Sequence, residues 1–237
     1  MESEIYQEQY NLQKTHWWFV AKKKIILSEL QQLITHNNSK KILDAGCGTG
    51  LMLEALSSYG ETFGMDFSTE AINFAKKLFA GEIRRGELPN DIPYSNNTFD
   101  ILIALDVIEH IDDDLTSLVN LKNLMKVGGS AIITVPALMS LWSHHDAINH
   151  HKRRYSKAEF KEKLIKAGFT INKISYYNFL LFPLVFLIRN INKLTNNTGG
   201  SDVDQLSASI NWVFKSIFSF ERILLKIMRF PIGVSLI

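Results

Sequence analysis

The regular alternation of hydrophobic runs and amphipathic segments limits the possible fold of this chain more than any other feature. The predicted strands cover 41–45, 62–66, 81–86, 98–105, 128–137 and 170–178. The predicted helices cover 16–34, 50–60, 68–79, 112–126 and 156–169. Strands joined in sequence through helices form an open parallel sheet with helices on both of its faces. The run "TFDILIAL" has no polar face, as expected for a strand covered on both sides.

The regions that flank this alternating core differ from it in character. We divide a single domain into an N-terminal helical extension (1–39), a core (40–178), a helical insertion or cap (179–229) and a last strand (230–237). The insertion contains the longest apolar run, "FLLFPLVFLI", which is about half as long as a membrane-spanning helix and includes Pro183. The insertion is therefore interpreted as a cap, a homodimer contact or a membrane-surface element.

Composition excludes several classes of protein. The 237 residues carry a formal net charge of only +2, which argues against a chain built mainly to bind nucleic acid. The single cysteine excludes an internal disulfide bond and fits a reducing compartment. The beginning of the chain is acidic and polar and lacks the pattern of a secretory signal. We therefore expect a cytoplasmic protein, with a peripheral position at the inner face of the membrane as the alternative.

A glycine-rich loop, "GCGTG", follows the first predicted strand and opens the next helix. Ligands bind at this position in doubly wound sheets. A dinucleotide-binding loop reads G-x-G-x-x-G, and Gly46 and Gly48 fit that pattern. The third glycine, however, is Gly50, and position 51 is a leucine. The loop therefore predicts a ligand other than a dinucleotide.

Two aspartates at the ends of neighbouring strands indicate what that ligand is. Asp44 ends the first predicted strand, where a carboxylate would repel a pyrophosphate and attract a positively charged ligand. S-adenosylmethionine carries both an ammonium and a sulfonium group. Asp66 ends the second predicted strand, where a carboxylate usually accepts hydrogen bonds from ribose hydroxyls.

The motifs "LDAGCGTG", "GMD" and "FDILIALDVIEHI" occur in the order and spacing of the class I S-adenosylmethionine-dependent methyltransferases, which the chain resembles over roughly 40–178. The resemblance implies an α/β, Rossmann-like, doubly wound sheet of seven strands with the last strand antiparallel, preceded by N-terminal helices. It assigns the methionine part of the cofactor to Asp44, Gly46, Cys47, Gly48, Gly50 and Asp106. It assigns the ribose to Asp66 and the adenine to Phe67, Glu87 and Leu88. Cys47 is interpreted as a small loop residue, not as a nucleophile.

The flanking segments narrow the resemblance to a bacterial group within the methyltransferase type 11 family. This group shares the patterns H-W-W-F-x-x-R and S-x-H-D-x-x-x-x-H-x-R-R-Y, and its members tend to lie among genes for surface glycans, lipids and secondary metabolites. The first pattern assigns Trp18 and residue 22 to cofactor binding. Here Lys22 replaces the usual arginine. A bidentate contact to the cofactor carboxylate would therefore become a point charge.

The loop 141–155 holds four of the seven histidines and has three interpretations. It is a metal site made of His144 or His145, Asp146, and His150 or His151; a polar loop with structural hydrogen bonds; or a loop that binds and activates the acceptor. The third interpretation is favoured because the loop follows the C-terminal end of a central strand. Histidine transfers protons near neutral pH, as methylation of a hydroxyl requires.

Within the third interpretation, each residue has a predicted role. His151 is the candidate base, Asp146 orients it, and His145 is a second catalytic candidate. The substrate-binding candidates are His110, Arg153, Arg154 and Tyr155. The arginines would hold an anionic group of the acceptor, and the tyrosine would form a pocket wall. The pair Glu109–His110 has a competing interpretation as a capping and packing pair.

The predicted function is transfer of a methyl group from S-adenosylmethionine to a small-molecule, sugar or glycolipid acceptor, most simply to oxygen, with S-adenosylhomocysteine as the product. The alternatives are N-methylation of an amino sugar or another small amine, and a non-catalytic cofactor-binding protein. Nucleic-acid amino-methyltransferases are disfavoured because no prolines are adjacent, as a D/N-P-P-Y/F motif requires. We expect no metal cofactor and no nucleic-acid partner.

Overall fold

The sheet at the centre of the protein has seven strands in the order β3-β2-β1-β4-β5-β7-β6. A computed structural model describes residues 3–34, 40–195 and 206–237, with the side chains of 3–5 left aside. The strands are β1 (Lys41–Ala45), β2 (Glu61–Asp66), β3 (Glu82–Arg85), β4 (Phe99–Leu105), β5 (Met125–Pro136), β6 (Tyr176–Tyr177) and β7 (Ser235–Leu236).

Helices lie before, between and after these strands. They are α1 (Ser3–Leu12), α2 (Trp17–Leu33), α3 (Leu53–Leu56), α4 (Thr69–Ala75), α5 (Asp114–Leu124), α6 (His144–Ile148), α7 (Lys157–Lys166), α8 (Phe182–Leu194) and α9 (Ala208–Ile227). Two short 3₁₀ turns cover Ile108–His110 and Met139–Leu141. Side-chain caps start several helices: Ser68 accepts from Ala71 N at α4, and Ser156 accepts from Glu159 N at α7.

The strand pairing confirms the predicted Rossmann-like topology. β1 pairs in parallel with β2 on one side and with β4 on the other, and β3 and β5 extend the two halves in parallel. β7 is antiparallel and lies between β5 and β6. The strand order reverses between β1 and β4, so a crevice opens at the C-terminal ends of these two strands.

Some predicted elements are shorter in the structure. The helix predicted over 50–60 is reduced to Leu53–Leu56, because the preceding residues form the turn of the glycine loop. The strand predicted over 170–178 contributes only Tyr176–Tyr177, and the last strand predicted over 230–237 contributes only Ser235–Leu236. β6 is the edge strand, and β7 pairs with it on one side and with β5 on the other.

The N-terminal extension and the predicted insertion pack against each other. Trp17, at the start of α2, contacts the rings of Phe214 and Phe218 in α9, with centroid distances of 5.5 Å and 5.8 Å. The side chain of Asn211 accepts a hydrogen bond of 2.7 Å from Trp17 N. The pattern "HWWF" therefore joins two regions that are far apart in sequence. The end of the predicted extension (35–39) and most of the polar link at 192–202 lie outside the described residues.

Candidate functional site

The glycine loop lies at the C-terminal end of β1 and is held there by the neighbouring strand. Gly46 N and Cys47 N both donate to the carbonyl of Met65, at 2.7 Å and 2.9 Å. Gly46 has φ +77°, and a Cβ atom there would lie 2.4 Å from Cγ2 of Val107. Gly48 has φ +51°, and a Cβ atom there would meet no described atom within 4 Å. Gly46 thus packs against protein, whereas Gly48 faces open space that a ligand can enter.

The remaining residues of this loop are buried. Gly50 lies against Ala75 of α4, whose Cα would be 2.9 Å from an added Cβ. Burial raises the pKa of the Cys47 thiol well above its ordinary value, with the charges of Asp44 and Asp66 adding to this effect. The thiol is therefore neutral, in agreement with its interpretation as a small loop residue.

Asp66 connects β2 to the glycine loop. Its carboxylate accepts hydrogen bonds from Gly48 N at 2.8 Å and from Ser68 N at 2.9 Å. Burial nevertheless raises its pKa. Asp44 is only 2% exposed, and burial together with the nearby Asp66 raises its pKa to about 7, although Lys22 partly opposes the shift. A cationic ligand beside Asp44 would stabilise its ionised form.

Asp106 follows β4 on the other side of the crevice. Thr134 Oγ1 donates to its Oδ1 at 2.8 Å, and Lys22 Nζ binds its Oδ2. Burial alone would raise the pKa of Asp106, but Lys22 and Thr134 together hold it below its usual value. Lys22 thus contacts a protein carboxylate, which sets its position at the crevice. Trp18 stacks on Tyr177 and Phe218, with centroid distances of 6.3 Å and 5.1 Å, so its ring packs among core side chains.

The residues predicted to hold the adenine lie beyond β2 and β3. Phe67 directly follows β2 and is 51% exposed. Leu88 is buried in the main hydrophobic cluster, while the side chain of Glu87 is exposed. Glu87 and Asp91 exchange backbone hydrogen bonds of 2.7 Å and 2.8 Å. Phe67 is thus available as an exposed apolar surface, whereas Leu88 is part of the core and Glu87 is held through its backbone.

Helix α1 covers the glycine loop, which the sequence did not predict. Gln13, just after α1, accepts a hydrogen bond of 2.9 Å from Thr49 Oγ1, and both side chains are buried. Tyr6 is 2% exposed and is hydrogen-bonded to Ser68 at the start of α4. The only signal in the sequence is the spacing of aromatic residues in "IYQEQY", which fits one face of a helix.

A second cluster is centred on Asp146 in α6. Its Oδ1 accepts from His151 Nδ1 at 2.8 Å and from Arg154 Nε at 2.8 Å, and its Oδ2 accepts from Ser143 N at 2.9 Å. Asp146 is fully buried, which alone would raise its pKa, but the hydrogen bonds from His151 and Arg154 hold the pKa far below its usual value. The carboxylate is therefore ionised and fixes the orientation of the His151 ring. Nε2 remains as the nitrogen of that ring that can act on a ligand.

His151 is also close to the turn that follows β4. The ring centroids of His110 and His151 are 4.8 Å apart, and those of His145 and His151 are 6.3 Å apart. Lys152 N donates to the carbonyl of Glu109 at 2.9 Å and so joins the loop to this turn. Burial, with a contribution from His151, lowers the pKa of His110 to about 4, so this imidazole is neutral.

Three of the four predicted substrate-binding residues bind other protein side chains. Asp114 accepts from Arg153 Nη1 at 2.9 Å and from the Tyr155 hydroxyl at 2.8 Å. Arg154 is 3% exposed and is held by Asp146 and the carbonyl of Ala137. These donors help to satisfy two buried carboxylates, which also bind Lys163 at Asp114 and His151 at Asp146. Arg154 and Tyr155 are both buried and held by these bonds, and their assignment to acceptor binding stays a prediction.

Comparisons with known proteins agree with the geometry of the crevice. Residues 43–133 match the family model described as "Methyltransferase domain". A ubiquinone biosynthesis O-methyltransferase of Actinobacillus pleuropneumoniae is 29% identical over 113 residues, or 44% of the chain and 48% of that protein. The chain spans about half the length of the first curated relatives it matches.

Two solved structures show a similar fold. One is a chain of the complex between the Haloferax volcanii Trm112 methyltransferase activator and a methyltransferase, with a TM-score of 0.61, 20% identity, and coverage of 73% of the present chain and 76% of that chain. The other is phosphoethanolamine N-methyltransferase 2 of Haemonchus contortus in complex with S-adenosyl-L-methionine, with a TM-score of 0.57, 19% identity, and coverage of 82% and 47%. The bacterial group suggested by the flanking motifs stays a prediction.

Proposed function

We propose that this chain is an S-adenosylmethionine-dependent methyltransferase that methylates an oxygen atom of a small-molecule, sugar or glycolipid acceptor, and the match of residues 43–133 to a methyltransferase family model supports this. When bound, S-adenosylmethionine supplies a methyl group on a positively charged sulfur and leaves as S-adenosylhomocysteine. The crevice suits such a cation, because it contains three buried or half-buried carboxylates, Asp44, Asp66 and Asp106, and a single described lysine, Lys22.

Different residues of the crevice bind different parts of the cofactor. Asp66 accepts hydrogen bonds from the ribose hydroxyls, and the open space at Gly48 admits the methionine part. Phe67 offers an exposed apolar surface to the adenine, and Leu88 is assigned to the adenine by the resemblance alone. A positioned cofactor and acceptor react as one assembly, which accounts for much of the acceleration in a displacement of this kind.

One observation carries the choice of oxygen as the acceptor atom: the 2.8 Å hydrogen bond between Asp146 and His151. A hydroxyl must lose its proton as it attacks the methyl group, and Nε2 of His151 can accept that proton. Asp146 then stabilises the imidazolium ion, because its carboxylate is already ionised and bonded to Nδ1. His151 is also close enough to Asp106 to interact with it electrostatically, which supports an acceptor site beside the proposed cofactor site.

The relatives favour oxygen but do not decide it. The 29% identical relative from Actinobacillus pleuropneumoniae is named as an O-methyltransferase, and its 48% coverage leaves the acceptor of this chain open. N-methylation of a small amine is the second candidate, because a protonated amine also has to lose a proton to a base before it attacks. A non-catalytic cofactor-binding protein would bind S-adenosylmethionine without producing S-adenosylhomocysteine.

The test is release of S-adenosylhomocysteine from S-adenosylmethionine, measured over matched panels of hydroxyl and amine acceptors. His151→Asn retains a donor for Asp146 but loses the proton-accepting nitrogen, so turnover should fall by about 10²- to 10⁴-fold. His144→Asn changes an exposed histidine of the same loop and is the matched control. Turnover of the His151 variant close to that of the control would remove His151 as the base. Turnover with the amine acceptors alone would show that the acceptor atom is nitrogen and not oxygen.

We also propose that α8 and α9 attach the protein to an anionic membrane surface, where a lipid-linked acceptor would lie. Large apolar side chains are exposed along both helices. In α8 they are Leu184, Phe186, Leu187, Ile188, Ile191 and Leu194. In α9 they are Ile210, Trp212, Val213, Phe220, Ile223 and Ile227. Clusters of exposed apolar residues on a helix are typical of an interface. No helix in the described part of the chain is long and apolar enough to cross a membrane.

A basic cleft beside the apolar face of α9 supports the choice of an anionic surface. It has a volume of about 360 Å³ and lies between α2, α9 and the end of α3. Lys24, Arg222 and Lys226 line it together with Ser28, Gln31 and Tyr59, and none of the described residues that line it is acidic. Each basic group near an anionic leaflet contributes about 1 kcal/mol to attachment.

Flotation with phosphatidylserine-containing vesicles tests this attachment. The wild-type protein should float with these vesicles at low salt and less at high salt. The double variant Ile223→Glu/Ile227→Glu should remain at the bottom, whereas Val127→Glu, at a 99% exposed apolar residue far from both helices in sequence, should float. If the wild-type protein does not float with the vesicles and instead forms a dimer that the double variant disrupts, this surface is a homodimer contact.

A further inference from the structure

Three potential metal ligands meet beside the crevice, and they are not the set that the sequence suggested. Glu109, His110 and His151 each offer one ligand atom, and these atoms lie within 4.8 Å of one another. His144 and His150, by contrast, have exposed side chains. We propose that Glu109, His110 and His151 form a binding site for one divalent transition-metal ion of the zinc type.

The state of Glu109 is the first independent support for this proposal. Its side chain is fully buried, yet neither carboxylate oxygen has a hydrogen-bond partner among the described residues. A buried carboxyl group without partners is costly, and native proteins rarely retain one without a ligand or function. A divalent cation would provide the partner that both oxygens lack.

The outer contacts of the two histidines are the second support. Histidine ligands in metal sites usually bind a carboxylate or a backbone carbonyl through the nitrogen that does not touch the metal. Nδ1 of His151 binds Asp146 at 2.8 Å, and the His110 ring is hydrogen-bonded to the backbone of His150. Each ring is therefore oriented by a hydrogen bond from one of its nitrogens, as in known metal sites, and its other nitrogen is left to bind an ion.

The donor set and its spacing favour a small ion. Two imidazole nitrogens and one carboxylate oxygen are the usual ligands of a zinc site that keeps a fourth position open. In a tetrahedral site with bonds of about 2.0–2.2 Å, ligand atoms are about 3.4 Å apart. The present separations of up to 4.8 Å thus require side-chain shifts on the order of 1 Å.

An ion at this site would change the role of His151. Nε2 cannot bind a metal and accept a proton from the acceptor at the same time, because both use the same lone pair. The metal state of the protein would therefore decide whether His151 is a base or a ligand. Because metal binding requires neither S-adenosylmethionine nor an acceptor, the proposed site and the proposed methyl transfer can be tested separately.

Metal binding is measured directly on the full chain, produced without a histidine tag and freed of metals and chelators. Titration with zinc chloride against a chromogenic zinc chelator should show one ion bound per chain. Substitution by Co²⁺ should give the visible absorption of a site with low coordination number. His110→Asn and Glu109→Gln should each weaken zinc binding at least 10-fold, because each removes a ligand from a three-ligand site.

The controls separate this site from other zinc-binding positions. His144→Asn should bind zinc as the wild type does, because its side chain is exposed and outside the cluster. Circular dichroism shows which variants are folded, and Glu109→Gln keeps the size of the buried side chain. Absence of stoichiometric zinc binding by the wild type would overturn the proposal. Equal binding by folded His110→Asn and Glu109→Gln variants would do the same, even if methyl transfer were observed.

Discussion

Alanine substitutions at the first two glycines of the loop should separate stability from ligand binding. In Gly46→Ala, the left-handed φ of +77° costs about 1–2 kcal/mol. The new Cβ would also lie 2.4 Å from Val107 Cγ2, which adds overpacking of about 1–3 kcal/mol. In Gly48→Ala, only the left-handed backbone conformation destabilises the protein, because no described atom lies within 4 Å of the added Cβ. The free energy of unfolding should therefore fall by about 2–5 kcal/mol at Gly46 and about 1–2 kcal/mol at Gly48.

Denaturant unfolding without ligand measures these differences, and a double-mutant cycle with Val107→Ala isolates the steric part. Only the Gly46 variant should regain stability in the Val107→Ala background, because only its Cβ meets that side chain. Calorimetry should show the reverse pattern for cofactor affinity. The added methyl group at Gly48 extends into the open space of the crevice, and binding should weaken at least 10-fold. Equal stability of the two variants, or unchanged affinity in Gly48→Ala, would refute this reasoning.

Two further outcomes concern single carboxylates. Asp66→Ala should weaken binding of both S-adenosylmethionine and S-adenosylhomocysteine by about 10- to 100-fold, since charged hydrogen bonds contribute about 1.5–3 kcal/mol. Wild-type affinity of this variant, measured by calorimetry, would contradict the ribose assignment. Burial raises the pKa of Glu221 to about 7 in the folded state, so this side chain costs stability as the pH rises from about 4.5 to 7. Glu221→Gln can still accept the hydrogen bond from Leu180 N. This variant should be more stable than the wild type by up to about 3 kcal/mol at pH 8 and equally stable below pH 4.5. Denaturant unfolding at both pH values measures the difference.

The sequence predicted the sheet well because each central strand carries its own signal. β1 is short and mostly buried, β4 is largely apolar, and the position of Asp44 and of the glycines at the end of β1 indicates where the crevice lies. The short strands at the edge, β6 and β7, could not be bounded, because their ends depend on which partner they find. The local sequence of each strand does not indicate which strand it pairs with.

The second half of the site shows where reading from sequence fails. Arg154 was predicted to hold an anionic group and Tyr155 to form a pocket wall, and nothing in the sequence indicated that they bind Asp146 and Asp114. The approach of Glu109 to His151 depends on how the loop folds back on the turn after β4. Such a contact between segments about 40 residues apart has no periodic signature in the sequence.

The charge of the crevice leads to a last prediction, that cofactor binding releases a proton. Asp44 has a pKa of about 7 because of its burial and the proximity of Asp66, with Lys22 as the opposing charge, so it is partly protonated at neutral pH. A sulfonium and an ammonium beside it favour the ionised form and lower that pKa on binding. Affinity for S-adenosylmethionine should therefore rise as the pH increases from 5.5 to about 7, below the range in which the amino group of the ligand loses its proton. Calorimetry in buffers of different ionisation enthalpy counts the released proton. Asp44→Asn should bind more weakly at pH 7.5 and release fewer protons, and an equal release from this variant would assign the proton to Asp66 instead.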